Sequence, residues 1–191
     1  IQSEDLLVPL EVYCDMVTDD GGWTLVLLNS TYSVPPTPVW IEAIRSNNIE
    51  GTMAGGIVSG FDQLLGLKYW EALGSTLRVE VGSDPLTIAH RAYYTFSFDE
   101  EAHYTIHLSD EVIDTGGTSP GLYTYHNNRP FTTSDSDNDA YGTNCSVSYG
   151  NTPWWFGSCW SGSFWGSGVG SRPYWTGSSG DYYNWGAFWV R

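Results

Sequence analysis

Basic residues and long apolar runs are scarce in this chain of 191 residues. Seven lysines and arginines stand against 22 aspartates and glutamates, which gives a formal net charge of −15 at pH 7. Such a charge repels nucleic-acid phosphates and anionic membrane surfaces, so neither is an expected partner. No apolar run approaches the roughly 18 residues that a membrane-spanning helix needs, so membrane insertion is not expected either.

Catalytic signatures are lacking as well. The sequence contains no G-x-S-x-G elbow, no phosphate-binding P-loop and no dinucleotide-binding fingerprint. A glycoside hydrolase needs a carboxyl group that can donate a proton, and the candidates here are Asp135, Asp137, Asp139 and Asp181. Carboxylates crowded around a cation stay ionised and cannot act as a general acid. We therefore expect a binding protein and not an enzyme.

The chain has only three cysteines. A disulfide between Cys145 and Cys159 would close a loop of about 15 residues and stabilise the fold by about 3 kcal/mol in the chain-entropy model. Cys14 is left over, so it is either unpaired or bonded to a partner outside this sequence. No basic residue near it in sequence would activate it, so an unpaired Cys14 is expected to be buried and not reactive. A pair of cysteines able to form a disulfide, in a chain poor in lysine, indicates a secreted, extracellular protein.

Two N-x-S/T sequons begin at Asn29 and Asn144. Each is an acceptor for N-glycosylation in a eukaryotic secretory route. The middle residue of the second sequon is Cys145, so a disulfide at this position would restrict access to it.

Alternation of apolar and polar side chains predicts a central antiparallel sheet. The strand patterns cover residues 76–81, 90–98 and 103–108, and an N-terminal hairpin is predicted from residues 6–17 and 23–28 around a turn at 19–22. Apolar spacing over residues 61–73 predicts a short helix. The chain from residue 145 onward holds seven of the ten tryptophans and nine glycines, which favours loops that display aromatic side chains.

Aromatic side chains in loops suit carbohydrate binding, because the apolar face of a sugar ring stacks on tryptophan or tyrosine. About half of these tryptophans are expected to fill the core around the loops instead. Trp154 and Trp155, next to Cys159, are assigned to that core group.

Aspartates alternate at positions 135, 137 and 139 in the stretch FTTSDSDNDAYGTNC. Alternation lets several carboxylate oxygens turn toward one point, which suits Ca²⁺ with its six to eight oxygen ligands. The alternative is a solvated turn, because short polar side chains also bond their own backbone. An EF-hand is excluded, since Ala140 stands where that loop needs glycine and Ser146 where it needs glutamate.

Four motifs occur in the order found in fibrinogen-related domains: CDMVTDDGGWTLV at 14–26, F-x-x-x-D-x-D-N-D at 131–139, N-C at 144–145 and W-W-x-x-x-C at 154–159. The chain resembles this family, which includes fibrinogen C-terminal domains, ficolins and tachylectins. The resemblance implies an α+β, fibrinogen C-terminal-like fold, with a central antiparallel sheet, short helices and a large loop-rich C-terminal calcium- and ligand-binding region. It implies a single domain over 1–191, with a hairpin at about 6–30, the sheet at about 61–110 and the binding region at about 116–191.

The resemblance also implies a ligand set for Ca²⁺, the expected cofactor. Asp137 and Asp139 would supply carboxylate oxygens, and Tyr141 and Thr143 would supply backbone carbonyls. Asp135 would lie beside these ligands without binding the cation, and its negative charge would add to the negative potential of the site.

In acetyl-binding lectins of the family, an acetamide group sits in a pocket beside this disulfide. The matching residues here include backbone donors at Cys159 and Trp160, with a cis peptide between Ser158 and Cys159 as in relatives. Asn184 replaces the acidic residue with which fibrinogen chains hold a peptide's amino group, which argues against a fibrin-type peptide hole. The predicted ligand-binding residues are Tyr149, Cys159, Trp160, Trp175, Tyr183 and Asn184.

The leading hypothesis is a secreted, calcium-dependent lectin that binds acetylated glycans, either N-acetylhexosamines or sialic acid, on cell-surface glycans or glycoproteins. Two alternatives stay open: an intelectin-like lectin in which the sugar diol coordinates calcium directly, and a protein-binding adhesion module with no sugar role. Homo-oligomerisation is also left open, because multivalency multiplies weak sugar affinities.

Overall fold

The structure, a computed structural model, describes residues 14–30, 62–63, 67–159, 172–175 and 181–191. Strands dominate this part of the chain, and the helices are short. The strands are β1 (Cys14–Asp15), β2 (Trp23–Ser30), β3 (Asp62–Gln63), β4 (Thr76–Asp84), β5 (Thr87–Asp99), β6 (Thr105–Thr115), β7 (Tyr174–Trp175), β8 (Asp181–Tyr182) and β9 (Trp185–Val190). The helices are α1 (Leu67–Leu73) and α2 (Cys145–Ser148), with a π-helical turn at Leu122–His126.

One antiparallel sheet organises the fold, in the order β1-β2-β9-β4-β5-β6, with β3 also paired to β2. Strands β7 and β8 form a separate two-stranded ribbon. The central antiparallel sheet with few short helices confirms the predicted fold class. None of the helices in the described ranges has the length and apolar character that a bilayer crossing requires.

The central strands of the sheet are buried on both faces. Along β9, Phe188 and Val190 join the larger core, whereas Trp185, Ala187 and Trp189 join a second core on the opposite face. All six residues of β9 are buried, and the strand lies between β2 and β4. The prediction of loops throughout the C-terminal region is therefore wrong here. The strand is apolar on both faces, so the alternation that reveals a half-buried strand is missing from its sequence.

Arg78 on β4 carries a charge into the second core. It is 0% exposed, and its guanidinium carbon lies 4.7 Å from the ring centroids of both Trp23 and Trp189. Its Nη2 donates to Asp15 Oδ2 at 2.8 Å and lies 3.6 Å from Glu80 Oε1. The cation is thus held by two aromatic faces and two carboxylates, and it ties the edge strand β1 to the middle of the sheet.

The N-terminal hairpin is confirmed in its described part, where Cys14 pairs with Thr24. Residues 6–13 lie outside the described residues. A 3-10 turn at Thr18–Asp20 joins the strands, with Asp19 and Asp20 at φ 50° and 67°. Cys14 has a free thiol but is exposed, so the expectation of burial is wrong. The reason is its place on β1, a two-residue strand at the edge of the sheet.

The other predicted elements are confirmed with shifted boundaries. The three patterned strands correspond to β4, β5 and β6, each longer than predicted. His103 precedes β6 and has a left-handed φ of 57°, so it does not belong to a strand. The predicted helix begins only at Leu67, because Asp62 and Gln63 pair with β2 instead.

Candidate functional site

The acidic loop, residues 131–145, is anchored to the core where it begins. Phe131 is 2% exposed and its backbone N–H donates to the His103 carbonyl at 2.9 Å. Thr132 and Trp154 exchange two backbone hydrogen bonds, of 3.0 and 3.1 Å. The acidic loop and the chain near Cys159 therefore share a fixed base.

Asn138 holds the inside of the loop. Its Nδ2 donates to the Phe131 carbonyl at 2.8 Å and to Ser136 Oγ at 3.0 Å, and its backbone N–H donates to Thr132 Oγ1 at 3.2 Å. Sequence reasoning missed this role and considered only the aspartates on either side. An amide, which donates and accepts, suits this inner position better than a carboxylate, which only accepts.

Asp139 links the loop to the disulfide region. Its Oδ1 accepts from the Tyr141 backbone N–H at 2.9 Å, and its Oδ2 accepts from the Cys145 backbone N–H at 2.8 Å. Each carboxylate oxygen has further lone pairs for a cation. Although Asp137 is exposed, partial loss of surrounding water raises its pKa, and the negative charge of Asp139 raises it further. The two carboxylates are thus close enough to repel each other, which is the arrangement that a divalent cation relieves.

The other residues predicted around the cation are exposed. Asp135 Oδ1 accepts a hydrogen bond from Thr133 Oγ1 at 2.6 Å. Tyr141 is 56% exposed and Thr143 is exposed. Within the described residues, no group of three or more His, Cys, Asp or Glu side chains could hold a metal. Two carboxylates completed by backbone carbonyls and water are donors that Ca²⁺ accepts.

The predicted disulfide between Cys145 and Cys159 is confirmed, with a Cα–Cα distance of 5.0 Å. Asn144 caps the helix α2 that begins there, because its Oδ1 accepts from the Val147 backbone N–H at 3.1 Å. The Ala140 N–H donates to the Gly157 carbonyl at 2.8 Å. The acidic loop therefore bonds the disulfide-bonded segment near both cysteines, through Asp139 at Cys145 and through Ala140 at Gly157.

The asparagine of one sequon is bonded through its side chain and that of the other is buried. Asn144 Nδ2 donates to the Thr133 carbonyl at 2.9 Å, and the following Cys145 is 0% exposed. Asn29 lies in β2 and is 1% exposed. Glycosylation of either side chain would require the surrounding structure to open.

The predicted ligand pocket is described in part. Tyr149 is half-buried and its ring stacks on Phe156, with centroids 6.1 Å apart at 22°. Cys159 is half-buried and adopts a left-handed φ of 60°. The described residues contain no cis peptide bond, so the predicted cis bond between Ser158 and Cys159 is wrong. Trp160 lies outside the described residues.

Two further predicted pocket residues meet at His90. The Trp175 ring stacks on His90 at 5.2 Å, and its Nε1 donates to the Thr118 carbonyl at 2.9 Å. Tyr183 meets His90 edge-on at 5.5 Å and is half-buried. Trp175 is 0% exposed, so it lies in the core behind Tyr183 and not on the surface.

The described tryptophans of the C-terminal region are all buried, at 7% exposure or less: Trp154, Trp155, Trp175, Trp185 and Trp189. The core assignment of Trp154 and Trp155 is confirmed, but the expectation that about half would be displayed is wrong for this part of the chain.

Tyrosines are the exposed aromatics, and Tyr182 on β8 is 45% exposed. Next to this strand, Asn184 is exposed and accepts a hydrogen bond from Arg172 Nη1 at 3.2 Å. Sequence reasoning named Asn184 but missed Arg172 and Tyr182.

The family model described as the C-terminal globular domain of fibrinogen beta and gamma chains matches residues 1–191. The chain belongs to this family. The structure of this fibrinogen-related domain is similar to the fibrinogen-like globe domain of human ANGPTL6, with a TM-score of 0.69, 26% identity and coverage of 94% of this chain and 82% of that one.

Curated relatives include both matrix and lectin-named proteins. Mouse Tenascin-N is 32% identical over 147 residues, which cover 77% of this chain and 9% of the relative. The Techylectin-like protein of Phoneutria nigriventer is 29% identical over 153 residues, which cover 79% of this chain and 58% of the relative. The fibrinogen-related domain thus spans about a tenth of the tenascin and somewhat more than half of the techylectin-like protein.

Proposed function

We propose that this fibrinogen-related domain is a secreted, calcium-supported lectin for acetylated glycans such as N-acetylhexosamines and sialic acid. The observation that carries the proposal is the position of Asp139. One carboxylate both neighbours Asp137 and bonds the backbone of disulfide-bonded Cys145. Occupancy of a cation site there is thereby coupled to the segment that would form the sugar pocket. The lectin-named relative supports the same class of function.

The chain's own residues would hold the cation through two carboxylates and two carbonyls. Asp137 and Asp139 supply the charge, and the Tyr141 and Thr143 carbonyls complete the ligand set. When bound, Ca²⁺ supplies the positive charge that lets both carboxylates stay ionised side by side. Asp139 then keeps its two backbone hydrogen bonds, and the loop keeps the shape that fixes Cys145.

The sugar side of the site would lie around Cys159. Backbone N–H groups of Cys159 and Trp160 would donate to the acetamide carbonyl, and Tyr149 and Tyr183 would form apolar walls. Asn184 would offer an amide at the rim, and buried Trp175 would support Tyr183 from behind through His90. The role proposed for these residues is binding, without chemical change to the sugar.

Titration calorimetry with N-acetylglucosamine and N-acetylneuraminic acid, in calcium and in EDTA, tests the proposal. We expect binding in calcium that is lost in EDTA. Asp139→Asn should weaken calcium binding at least tenfold, whereas the matched variant Asp135→Asn should stay within about threefold. Absence of binding to any acetylated sugar in calcium would remove the lectin proposal. Unchanged binding in EDTA would remove only the role of calcium.

A second candidate is direct coordination of calcium by a sugar diol. The exposure of Asp137, Tyr141 and Thr143 supports it, because the loop is open to solvent on this side. The two modes differ in their competitors. Glycerol, which has a diol and no acetyl group, should compete only if the sugar binds the cation directly.

A third candidate is a protein-binding adhesion module. Tyr123 and Tyr125 are 44% and 43% exposed on the same π-helical turn, and exposed tyrosines are enriched in protein interfaces. A glycan array without hits, together with a partner protein whose binding is lost in Tyr123→Ala/Tyr125→Ala, would favour this reading over the lectin.

A further inference from the structure

The ribbon of β7 and β8 has a buried face and an exposed face. Tyr174 pairs with Tyr182, and the Tyr183 N–H donates to the Pro173 carbonyl at 2.9 Å, which continues the register beyond the ribbon. Arg172 and Asn184 are therefore opposite each other, one step along the ribbon. Because side chains alternate along a strand, four residues share one face: Arg172, Tyr174, Tyr182 and Asn184. Buried Trp175 occupies the other face.

Two tyrosine rings form the apolar part of this exposed face. The centroids of Tyr174 and Tyr182 lie 5.1 Å apart, with an interplanar angle of 56°. Tyr182 is 45% exposed and Tyr174 is half-buried. A pair of partly exposed rings offers an apolar surface edged by hydroxyl groups, which is the character that a sugar ring matches.

Arg172 adds an unneutralised positive charge beside these rings. Arg78 and Arg91 pair with carboxylates, but Arg172 forms no ion pair with any carboxylate in the described ranges. Its Nη1 donates instead to the neutral Asn184 Oδ1, at 3.2 Å. An amide orients the guanidinium without cancelling its charge, and the remaining donors suit bidentate binding of a carboxylate or sulfate.

We propose that this face, hereafter the tyrosine–arginine face, binds the acidic group of an acetylated sugar. The sugar ring lies on Tyr174 and Tyr182, and its carboxylate or sulfate meets Arg172, which Asn184 holds in place. The inference rests on the proposed lectin function and sharpens it from acetylated glycans in general to acidic ones. The net charge of −15 does not attract an acidic sugar. The preference for an acidic sugar therefore comes from its contact with the single guanidinium of Arg172.

The test compares three ligands by titration calorimetry in calcium, with the full 191-residue chain. They are the α-methyl glycoside of N-acetylneuraminic acid, 6-O-sulfo-N-acetylglucosamine and neutral N-acetylglucosamine. The wild type should bind at least one acidic sugar about tenfold more tightly than the neutral one, as expected for a charge-assisted hydrogen bond. The two acidic ligands distinguish a carboxylate site from a sulfate site.

Variants assign the preference to the tyrosine–arginine face. Arg172→Gln should bring the affinities for acidic and neutral sugars together, and Arg172→Lys should restore part of the difference. Tyr182→Ala should weaken the acidic sugar severalfold. Arg129→Gln removes an equal charge at another exposed position, and Tyr123→Ala removes a tyrosine of matched exposure, 44% against 45%. Neither control should change the preference.

The outcomes separate this proposal from the lectin proposal. A wild type that binds N-acetylglucosamine as tightly as both acidic sugars overturns the acidic selection and leaves the lectin standing. An Arg172→Gln variant that keeps the preference, or an Arg129→Gln variant that loses it equally, overturns the role of Arg172. A chain that binds none of the three sugars overturns both proposals together.

Discussion

The central sheet and the acidic loop region are held together by different forces. In β2, β4 and β9, most of the described side chains are buried, and the apolar ones join one of two cores. Across residues 131–159, polar side chains bond the backbone directly, as Asn138, Asp139 and Asn144 do, and one disulfide closes the segment. The sheet is stabilised by packing of apolar side chains, whereas the loop is stabilised by hydrogen bonds from particular side chains to the backbone. The two regions nevertheless meet in the larger core, which Phe131, Cys145, Trp154, Trp155 and Phe156 also enter.

Trp155 contacts both regions, so its removal should destabilise both and have the largest effect on the free energy of unfolding. It is 0% exposed, stacks on Phe98 of β5 at 5.9 Å, and meets Phe131 at the base of the acidic loop at 4.9 Å. Its Nε1 donates to the Tyr104 carbonyl at 2.9 Å. Trp155→Ala should lower the free energy of unfolding by about 3–5 kcal/mol in urea denaturation.

The control for this prediction is Tyr141→Ala, which removes a 56% exposed ring from the loop and should cost less than about 0.5 kcal/mol. A Trp155→Ala variant as stable as that control would mean that the two regions are not joined through this ring.

The sequence predicted strands β4, β5 and β6 well and strand β9 poorly, for a physical reason. Strands β4, β5 and β6 have one polar face over part of their length, and their alternation was readable. Strand β9 has no polar face, so WGAFWV looks like the aromatic loops around it, although it lies in the middle of the sheet.

The candidate site shows the same division. The disulfide could be predicted, because only fourteen positions separate Cys145 and Cys159. The closeness of Asp137 and Asp139 follows from their alternation in sequence, and their role as calcium ligands stays a prediction. The roles of Asn138 and Arg172 could not be predicted, since they depend on partners that are distant in sequence, such as Phe131 and Asn184. Burial of Trp175, Trp185 and Trp189 was not predicted individually, because it depends on which strands cover them.

Arg78 offers a second way to test the sheet, since it is the exception to apolar burial there. Arg78→Ala should cost about 3 kcal/mol, because it leaves the carboxylates of Asp15 and Glu80 without their cation and opens a gap between two tryptophans. Arg78→Met fills the gap and should cost less. Urea denaturation of both variants checks this order. Equal losses would show that charge, and not volume, governs the site.

The disulfide tests the loop region without touching the sheet. Replacing both Cys145 and Cys159 by alanine should cost about 3 kcal/mol in the chain-entropy model for a loop of about 15 residues. Hydrogen exchange should locate the effect: the Ala140 and Tyr149 amides should lose protection, because both donate to carbonyls of the disulfide-bonded segment, those of Gly157 and Cys145. The amides of β9 should exchange last in both proteins. Loss of protection throughout β9 at native conditions would contradict the separation of the two regions.

Lowering the pH should change the stability least. The contribution of Asp15 in the sheet and that of Asp137 in the acidic loop should change with opposite signs. Burial raises the pKa of Asp15, but hydrogen bonds from Thr18, Val17 and Arg78 outweigh it and hold the pKa below the ordinary value of 3.8. A depressed pKa stabilises the fold above the unfolded-state pKa, and this contribution is lost as pH falls below about 4. Asp15→Asn lacks it. The stability of the wild type should therefore decline more steeply than that of the variant between about pH 4 and pH 2.

Asp137 should behave in reverse when calcium is absent. Its pKa is raised by partial loss of surrounding water and by the charge of Asp139, so its ionised form opposes the folded loop above that pKa, and protonation removes the opposition as pH falls. At pH 7 in EDTA, Asp137→Asn should be slightly more stable than the wild type, and the gap should close in acid. Calcium should invert the order at pH 7, because the wild type gains binding energy that the variant lacks. Thermal melts with and without EDTA measure both signs, and a gap that calcium leaves unchanged would place the cation away from Asp137.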